Sequence, residues 1–497
     1  MNTRAHRRTT LACSITGAAI VALDGTVLTV AQPTMQRELH ASFTQIQWTS
    51  TGYLIAVASL LVFAGRLGDR FGHRRVFAAG TLGFAVTSAG IGLAPGVGWV
   101  IGLRVAQGVF GALLQPATLG MLRAAYPRDG IGRPIALRTI AIAVAAAAGP
   151  VIGGALTTHL GWRAVFFLNV APAVAIGALA LAVRVPAPRG PSTGLDLPGA
   201  CLLAVALVCL VHTLADVPEN GWTAASTGAS AVAAAATAAF VRHERRTKSP
   251  LVPPEAVGRK AVACSLAVLL AASAAMFGAL FVGTYFLQDV LGMNPLRSSF
   301  AALTGPAGIV LSASASAVAL RRWGHRRTAV AAMVLLALGV FVLSRLDRAA
   351  TPVAVGGGFL LLGVGFGTVM VTATAVIVHQ ASVHNAGVAG GLQQTAMNIG
   401  PALGIALATA LMALTAPDGA GKGAYGGGPR WTGEAFTSSM SATLTALTAL
   451  TALAAVAAAG ALFALGLPRR LAPVEDHEAA EAGNTTVRDR SRGVSAK

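Results

Sequence analysis

Acidic side chains are scarce in this chain. Asp and Glu number 18 against 37 Lys and Arg in 497 residues, and charged residues together make up only 11%. A soluble protein of this length would need several domains and far more surface charge, so a water-soluble class is excluded. Cysteine is just as rare. Cys13, Cys201, Cys209 and Cys264 are the only four, all in apolar stretches and without metal-ligand spacing. That argues against a disulfide framework or a bound metal. With 28 aromatic residues, a binding site would rely mainly on aliphatic and small side chains. No Walker-type phosphate loop is present, so ATP hydrolysis has no visible basis and no cofactor is implied.

What the chain does have is long apolar runs. Hydrophobic residues reach 55% and mean hydropathy is +0.68. Fourteen runs approach the roughly 20 residues that cross a bilayer core as a helix: 11–33, 47–67, 76–94, 98–121, 136–158, 164–184, 197–214, 223–241, 262–287, 299–320, 328–344, 353–378, 394–416 and 437–466. The expected fold class is an all-α integral membrane protein with fourteen transmembrane helices and the lipid bilayer as its main partner.

A net charge of +19 invites a nucleic-acid reading, but the distribution opposes it. With the N-terminus in the cytoplasm, inside segments and span edges hold 29 of the 37 Lys and Arg. Outside loops hold seven, and Arg104 lies within a span. This positive-inside bias places both termini in the cytoplasm.

Two stretches recur in order. Asp69-Arg70-Phe71-Gly72-His73-Arg74-Arg75 is echoed by Arg321-Arg322-Trp323-Gly324-His325-Arg326-Arg327, shifted by 252. Gly149-Pro150-Val151-Ile152-Gly153 is echoed by Gly400-Pro401-Ala402-Leu403-Gly404, shifted by 251. Parallel repeats of this kind mark secondary transporters with a binding site between the halves. The expected organisation is a cytoplasmic tail 1–10, a six-helix bundle 11–184, a linker 185–261 with two extra spans, a second six-helix bundle 262–466, and a disordered cytoplasmic tail 467–497.

Asp24 stands apart from the other 17 acidic residues, which lie in polar segments or at span edges. A carboxylate in mid-span costs roughly 2.5–3.5 kcal/mol and persists where it faces a cavity or a partner. Asp24 is about 14 residues into an outward-running helix, roughly 20 Å from the cytoplasmic face. Arg104 is about seven residues into an inward-running helix, roughly 10 Å below the outer face. In a core of about 30 Å these depths coincide, making Arg104 the candidate partner in proton coupling. Thr26, Gln32, Tyr53, Gln107, Gln115, Gln393, Gln394 and Asn398 are further polar residues in spans. They are suited to lining a cavity or to interhelical hydrogen bonds.

Gly65-Arg66-Leu67-Gly68-Asp69-Arg70-Phe71-Gly72-His73-Arg74-Arg75 occupies a short loop between the second and third spans. Glycines there permit a tight reversal, and Asp69 can accept hydrogen bonds from basic side chains. Gly65, Gly68, Asp69, Arg70, Gly72 and Arg74 are read as a structural gate. The segment resembles the loop 2–3 signature of the major facilitator superfamily, G-x-L-A-D-R-x-G-R-K/R, with Gly68 in place of Ala and His73 in place of Arg. Leu103-Arg104-Val105-Ala106-Gln107-Gly108 is similar to the superfamily's span 4 motif. Gly149-Pro150-Val151-Ile152-Gly153-Gly154 resembles the span 5 motif of its exporters. Leu23 to Pro33 is similar to the first-span signature of the 14-span drug:proton antiporters, with Thr29 in place of Asn and Gln32 in place of Leu. Gly161-Trp162-Arg163 through Asn169 is also typical of that subfamily.

The resemblance implies a major facilitator fold of 6 + 2 + 6 helices. It also implies efflux of amphipathic compounds such as antibiotics, exchanged for protons at Asp24 and Arg104. The implied assignment is a multi-pass transporter of the cytoplasmic membrane, functional as a monomer and not an enzyme. A proton-coupled importer and a membrane-embedded enzyme are the alternatives. The exporter-type Gly149, Pro150, Gly153 and Gly154 oppose the first, and the lack of clustered polar catalytic groups opposes the second.

Overall fold

A computed structural model describes residues 3–127, 130–182, 196–247, 250, 260–380, 386–415 and 433–464. The expected tail 467–497 and parts of the linker lie outside the described residues. The described chain is helical: α1 Thr3–Glu38, α2 Phe43–Phe71, α3 His73–Gly92, α4 Val97–Ala125, α5 Gly132–Leu160, α6 Arg163–Ala182, α7 Leu197–Asn220 and α8 Ala224–Arg246. There follow α9 Lys260–Tyr285 with a π-helical turn Phe286–Val290, a short α10 Pro295–Ala302, α11 Thr304–Ser344, α12 Pro352–Gln380, α13 Ala386–Leu414 and α14 Gly433–Ala464. Helix α1 thus extends into the segment expected as a tail.

Eleven helices among the described residues are long and apolar enough to cross a bilayer, against the fourteen runs expected. The expected spans 76–94 and 437–466 are not among them, and 299–320 and 328–344 are largely two helical segments that meet at Gly324. Residues 76–94 fall on α3, where glycines, Thr81, Thr87 and Ser88 dilute the hydropathy. Both segments are carried on α11, which Gly324 divides with φ 74°. Its repeat counterpart Gly72 has φ 92° between α2 and α3. Both sit in the left-handed region that glycine adopts without penalty, so the sequence echo marks the same backbone reversal twice.

Local signals set the helix starts. Ser42 and Gln45 form a reciprocal capping box at α2, and Thr223 and Ser226 form one at α8. Asp196 caps α7, and Asn294 caps α10 ahead of Pro295.

The first unit is built on α1, which packs against α4, α5 and α6, while α3 packs against α4 and α6. In the second unit α9 packs against α12, α13 and α14, and α11 lies along α12 and α14. The span 5 glycines explain the tightest approach. A Cβ on Gly153 would stand 2.8 Å from the Val27 carbonyl oxygen, and one on Gly149 would collide with the Thr26 hydroxyl. The echo repeats this in the second unit, where a Cβ on Gly400 would stand 2.8 Å from the Leu270 carbonyl oxygen and one on Gly404 would collide with that of Ala274. Small residues are what let helix backbones approach this closely in a membrane.

The units meet through α2 against α13 and α5 against α10. Ile55, Leu207, Val211, Ala402 and Ala406 form an apolar cluster where α7 covers the α2–α13 seam. The polar contacts between units gather at the end carrying the α1–α2 turn. Arg37 pairs with Asp289 at 2.8 Å, and the Gln288 amide donates to the Val30 carbonyl at 2.9 Å. Ser299 donates to the Pro150 carbonyl at 2.6 Å, and Phe43 packs edge-on against Phe281 and Tyr285.

Candidate functional site

Asp24 and Arg104 meet in the first unit. Arg104 Nη1 donates to Asp24 Oδ2 at 2.6 Å, and their side chains are 1% and 2% exposed. Both come from apolar helices, where a buried charge is tolerated only beside a partner of opposite sign and with its remaining polar atoms hydrogen-bonded. The pair is not isolated. Arg104 Nε donates to the Thr49 carbonyl at 2.9 Å, Nη1 also donates to Gln107 Oε1 at 2.5 Å, and the guanidinium lies 4.3 Å above the Tyr53 ring. Asn169 Nδ2 donates to Asp24 Oδ1 at 2.9 Å, and Gln107 Nε2 donates to Ser88 Oγ at 2.7 Å. Five helices, α1, α2, α3, α4 and α6, therefore meet in one hydrogen-bonded network around the pair.

Two buried atoms in this network lack a hydrogen-bond partner among the described residues, Tyr53 Oη and Asn169 Oδ1. The guanidinium keeps three uncharged partners (Thr49, Gln107 and the Tyr53 ring) whatever the state of Asp24. The free Asn169 oxygen offers an acceptor to a protonated carboxyl if the amide turns over. Chemically, the arrangement holds a buried carboxylate against a guanidinium that has further partners of its own.

Asn169 and Ser88 were not singled out as site residues from the sequence. Asn169 had a readable signal, a lone amide in the otherwise apolar α6. Ser88 had none, since serines recur on membrane helices. Arg138 was missed as well. It enters α5 near its start and donates to Thr118 Oγ1 at 3.0 Å, while Ser14 of α1 donates to the Thr118 carbonyl at 2.9 Å.

The remaining polar candidates are dispersed. Gln32 is buried and donates to Ser50 Oγ at 2.9 Å and to the Ile46 carbonyl at 3.3 Å, tying α1 to α2. Thr26 bonds back to its own helix at Ala22 and Leu23. Gln115 is half-buried on α4. In α13, Gln393 donates to Thr374 at 2.6 Å, and Asn398 donates to the carbonyl of half-buried Gln394 at 2.8 Å. A Cβ on Gly25, beside Asp24, would meet nothing within 4 Å, so α1 has open space on that face.

In the loop motif, Asp69 pairs with His73 Nε2 at 3.1 Å. Arg74 donates to the Ala180 and Leu181 carbonyls at 3.0 and 3.3 Å, a cation on the negative end of α6. Arg70 lies 5.4 Å over the Phe71 ring, Gly65 faces Pro116 of α4, and Gly72 supplies the reversal. At the opposite end, the indole of Trp162 donates to Glu38 at 2.9 Å, pinning the α5–α6 turn to α1.

Two repeated helical units, apolar helices and a carboxylate buried in the first unit define a multi-pass secondary transporter, not an enzyme. The Major Facilitator Superfamily matches residues 15–405, and the chain belongs to it. Among its relatives is a tetracenomycin C resistance and export protein of Streptomyces glaucescens, 40% identical over 81% of this chain and 76% of that protein. A puromycin resistance protein of Streptomyces alboniger is 34% identical over 78% of each chain. The multidrug efflux pump LfrA of Mycolicibacterium smegmatis is 30% identical over 78% of this chain and 77% of that one. A bacterial homolog of the human lysosomal transporter Spinster shares the fold, with a TM-score of 0.65 at 16% identity over 94% of this chain and 99% of that one. The chain is an efflux transporter of this superfamily.

Proposed function

We propose that the chain exports amphipathic organic compounds, an antibiotic or another toxic molecule, across the cytoplasmic membrane in exchange for protons. The observation that carries this reading is the buried Asp24–Arg104 pair, a titratable group with no purely structural need for charge in an apolar bundle. The resistance and export functions of the relatives support the cargo class.

In the proposed topology, fourteen spans are arranged as 6 + 2 + 6 with both termini cytoplasmic, and one chain is the working unit. The bundles are 11–184 and 262–466, joined by 185–261. The α1–α2 turn then lies outside, so the contacts of Arg37, Gln288 and Ser299 close the outer end. Alternating access rocks one unit against the other. With the outer end open, Asp24 takes a proton. With the inner end open it releases one, and the ionised state favours substrate. The Gly65–Arg74 motif, at the α2–α3 junction, and the Gly149–Gly154 element serve as gates, and Tyr53, Thr26, Gln394 and Asn398 flank the path. The energy source is the proton gradient without a cofactor. Each pH unit supplies about 1.4 kcal/mol, and each charge moved about 2.3 kcal/mol per 100 mV.

The test is substrate-dependent proton movement in proteoliposomes, with compounds chosen by a tolerance survey in a drug-sensitive host. Export driven by an imposed pH gradient supports the scheme. Transport indifferent to that gradient, or running in the uptake direction, overturns it.

A further inference from the structure

Helices α7 and α8 add nothing to the Asp24 network, yet they form a groove of about 870 Å³ lined by Leu210, Thr213, Ala233, Ala234, Thr237, Ala238 and Val241, with Arg242, Arg245 and Arg246 at one end. Its polar-looking wall is apolar in effect. Thr213, Ser230 and Thr237 each turn their hydroxyl back to a carbonyl of their own helix, at Cys209, Thr227 and Ala233. The groove therefore presents carbon along its length and cations at its end.

The three arginines stand at i, i+3 and i+4 and so share a face of α8. All are exposed, and none makes an ion pair or hydrogen bond among the described residues. Their position is fixed, because neighbouring His243 donates to the buried Asp196 carboxylate at 2.6 Å, locking the end of α8 to the start of α7. From Ser230 to Val241 the wall rises about 16 Å, close to half of a roughly 30 Å hydrocarbon core. The wall is therefore long enough to take the acyl chains of one leaflet with the cations at its polar end.

We propose that this groove binds one anionic glycerophospholipid, its acyl chains along the alanine wall and its phosphate among Arg242, Arg245 and Arg246. A basic cluster at the end of a membrane helix attracts any anionic surface. What makes this a site is the leaflet-length apolar groove leading to arginines that are exposed and unpaired among the described residues.

The test is native mass spectrometry of the delipidated full chain, titrated with phosphatidylglycerol or phosphatidylcholine. Phosphatidylglycerol should bind with at least about tenfold preference, and R242Q/R245Q/R246Q should abolish that preference. The charge-matched R321Q/R322Q/R327Q, on another exposed basic segment, should keep it. Ala238→Phe retains every charge and sits on the exposed wall, so it should weaken both lipids without disturbing insertion. The proposal is overturned by equal binding of the two lipids or by equal loss in the two triple variants. It is also overturned by unchanged binding in Ala238→Phe, by soluble glycerol phosphate binding as well as the lipid, or by a dimer mass in place of bound lipid.

Discussion

The imidazole of His73 lies directly on Gly68, where a Cβ would run into the ring, and the same ring covers Gly120 of α4. The loop motif departs from the superfamily pattern at these two positions, Gly for Ala and His for Arg, and the contact explains both together. His73 turns inward to reach Asp69 at 3.1 Å, and only glycine at position 68 leaves room for it. Gly68→Ala should therefore cost about 1–3 kcal/mol through overpacking. Adding His73→Arg, which carries a flexible side chain away from the site, should recover at least about 0.5 kcal/mol of that loss. Thermal unfolding of the detergent-solubilised protein measures the cycle, and strictly additive losses would dismiss the coupling.

Asp24 and Arg104 make the corresponding pair in the membrane. Arg104→Gln leaves a buried carboxylate without its counter-charge and should cost about 3–5 kcal/mol. Asp24→Asn/Arg104→Gln removes both charges and should be more stable than Arg104→Gln alone, again by unfolding in detergent. Asp24→Asn by itself keeps Arg104 on Thr49, Gln107 and Tyr53, so it should fold and insert yet lose pH-driven efflux in proteoliposomes. Full coupled transport by that variant would remove Asp24 from the proton path.

The Asp24–Arg104 contact was legible because two charges in apolar runs leave few ways to be satisfied, and helix rise converts residue counts into depth. The repeat was legible for a related reason: Gly72 and Gly324 need the same left-handed backbone, so the residues around them stayed similar. Asn169 and Ser88 were hard to read because uncharged polar side chains on membrane helices carry no depth-specific cost. Their partners depend on helix rotation, which sequence does not give. Gln32 illustrates the converse. It was a candidate for lining a cavity, yet packing turns it onto Ser50 of α2. The span count was least legible where hydropathy is diluted, as in α3, or where two segments abut at a single glycine, as at Gly324 in α11.

Asn169 should be needed for coupled transport. It donates to Asp24 Oδ1 at 2.9 Å. Removing that donor leaves a buried acceptor short of a partner and costs about 1–3 kcal/mol, so Asn169→Leu should lower pH-driven efflux in proteoliposomes while the chain still inserts. Asn169→Asp would place a second carboxylate on the first and should lower efflux further. Full pH-driven efflux by Asn169→Leu would assign Asn169 to packing alone.

Ser299 is the most specific polar link between the two units. Its hydroxyl donates to the Pro150 carbonyl at 2.6 Å, inside the glycine-rich element of α5, and a Cβ on Gly154 would stand 2.7 Å from the Pro295 carbonyl. Arg37 and Asp289 are half-exposed, so their ion pair contributes at most about 1 kcal/mol. Phe43 against Phe281 and Tyr285 is apolar and tolerates sliding. The same hydroxyl also lies 2.7 Å from the Pro295 carbonyl of its own helix, so Ser299→Ala removes at most about 1 kcal/mol from the closed arrangement, which shifts the balance toward separation by up to about fivefold. Spin labels at His40 and Met293, one on each unit at this end, should report a larger share of long distances in the variant. An unchanged distance distribution would mean that Ser299 stays on α5 throughout the cycle.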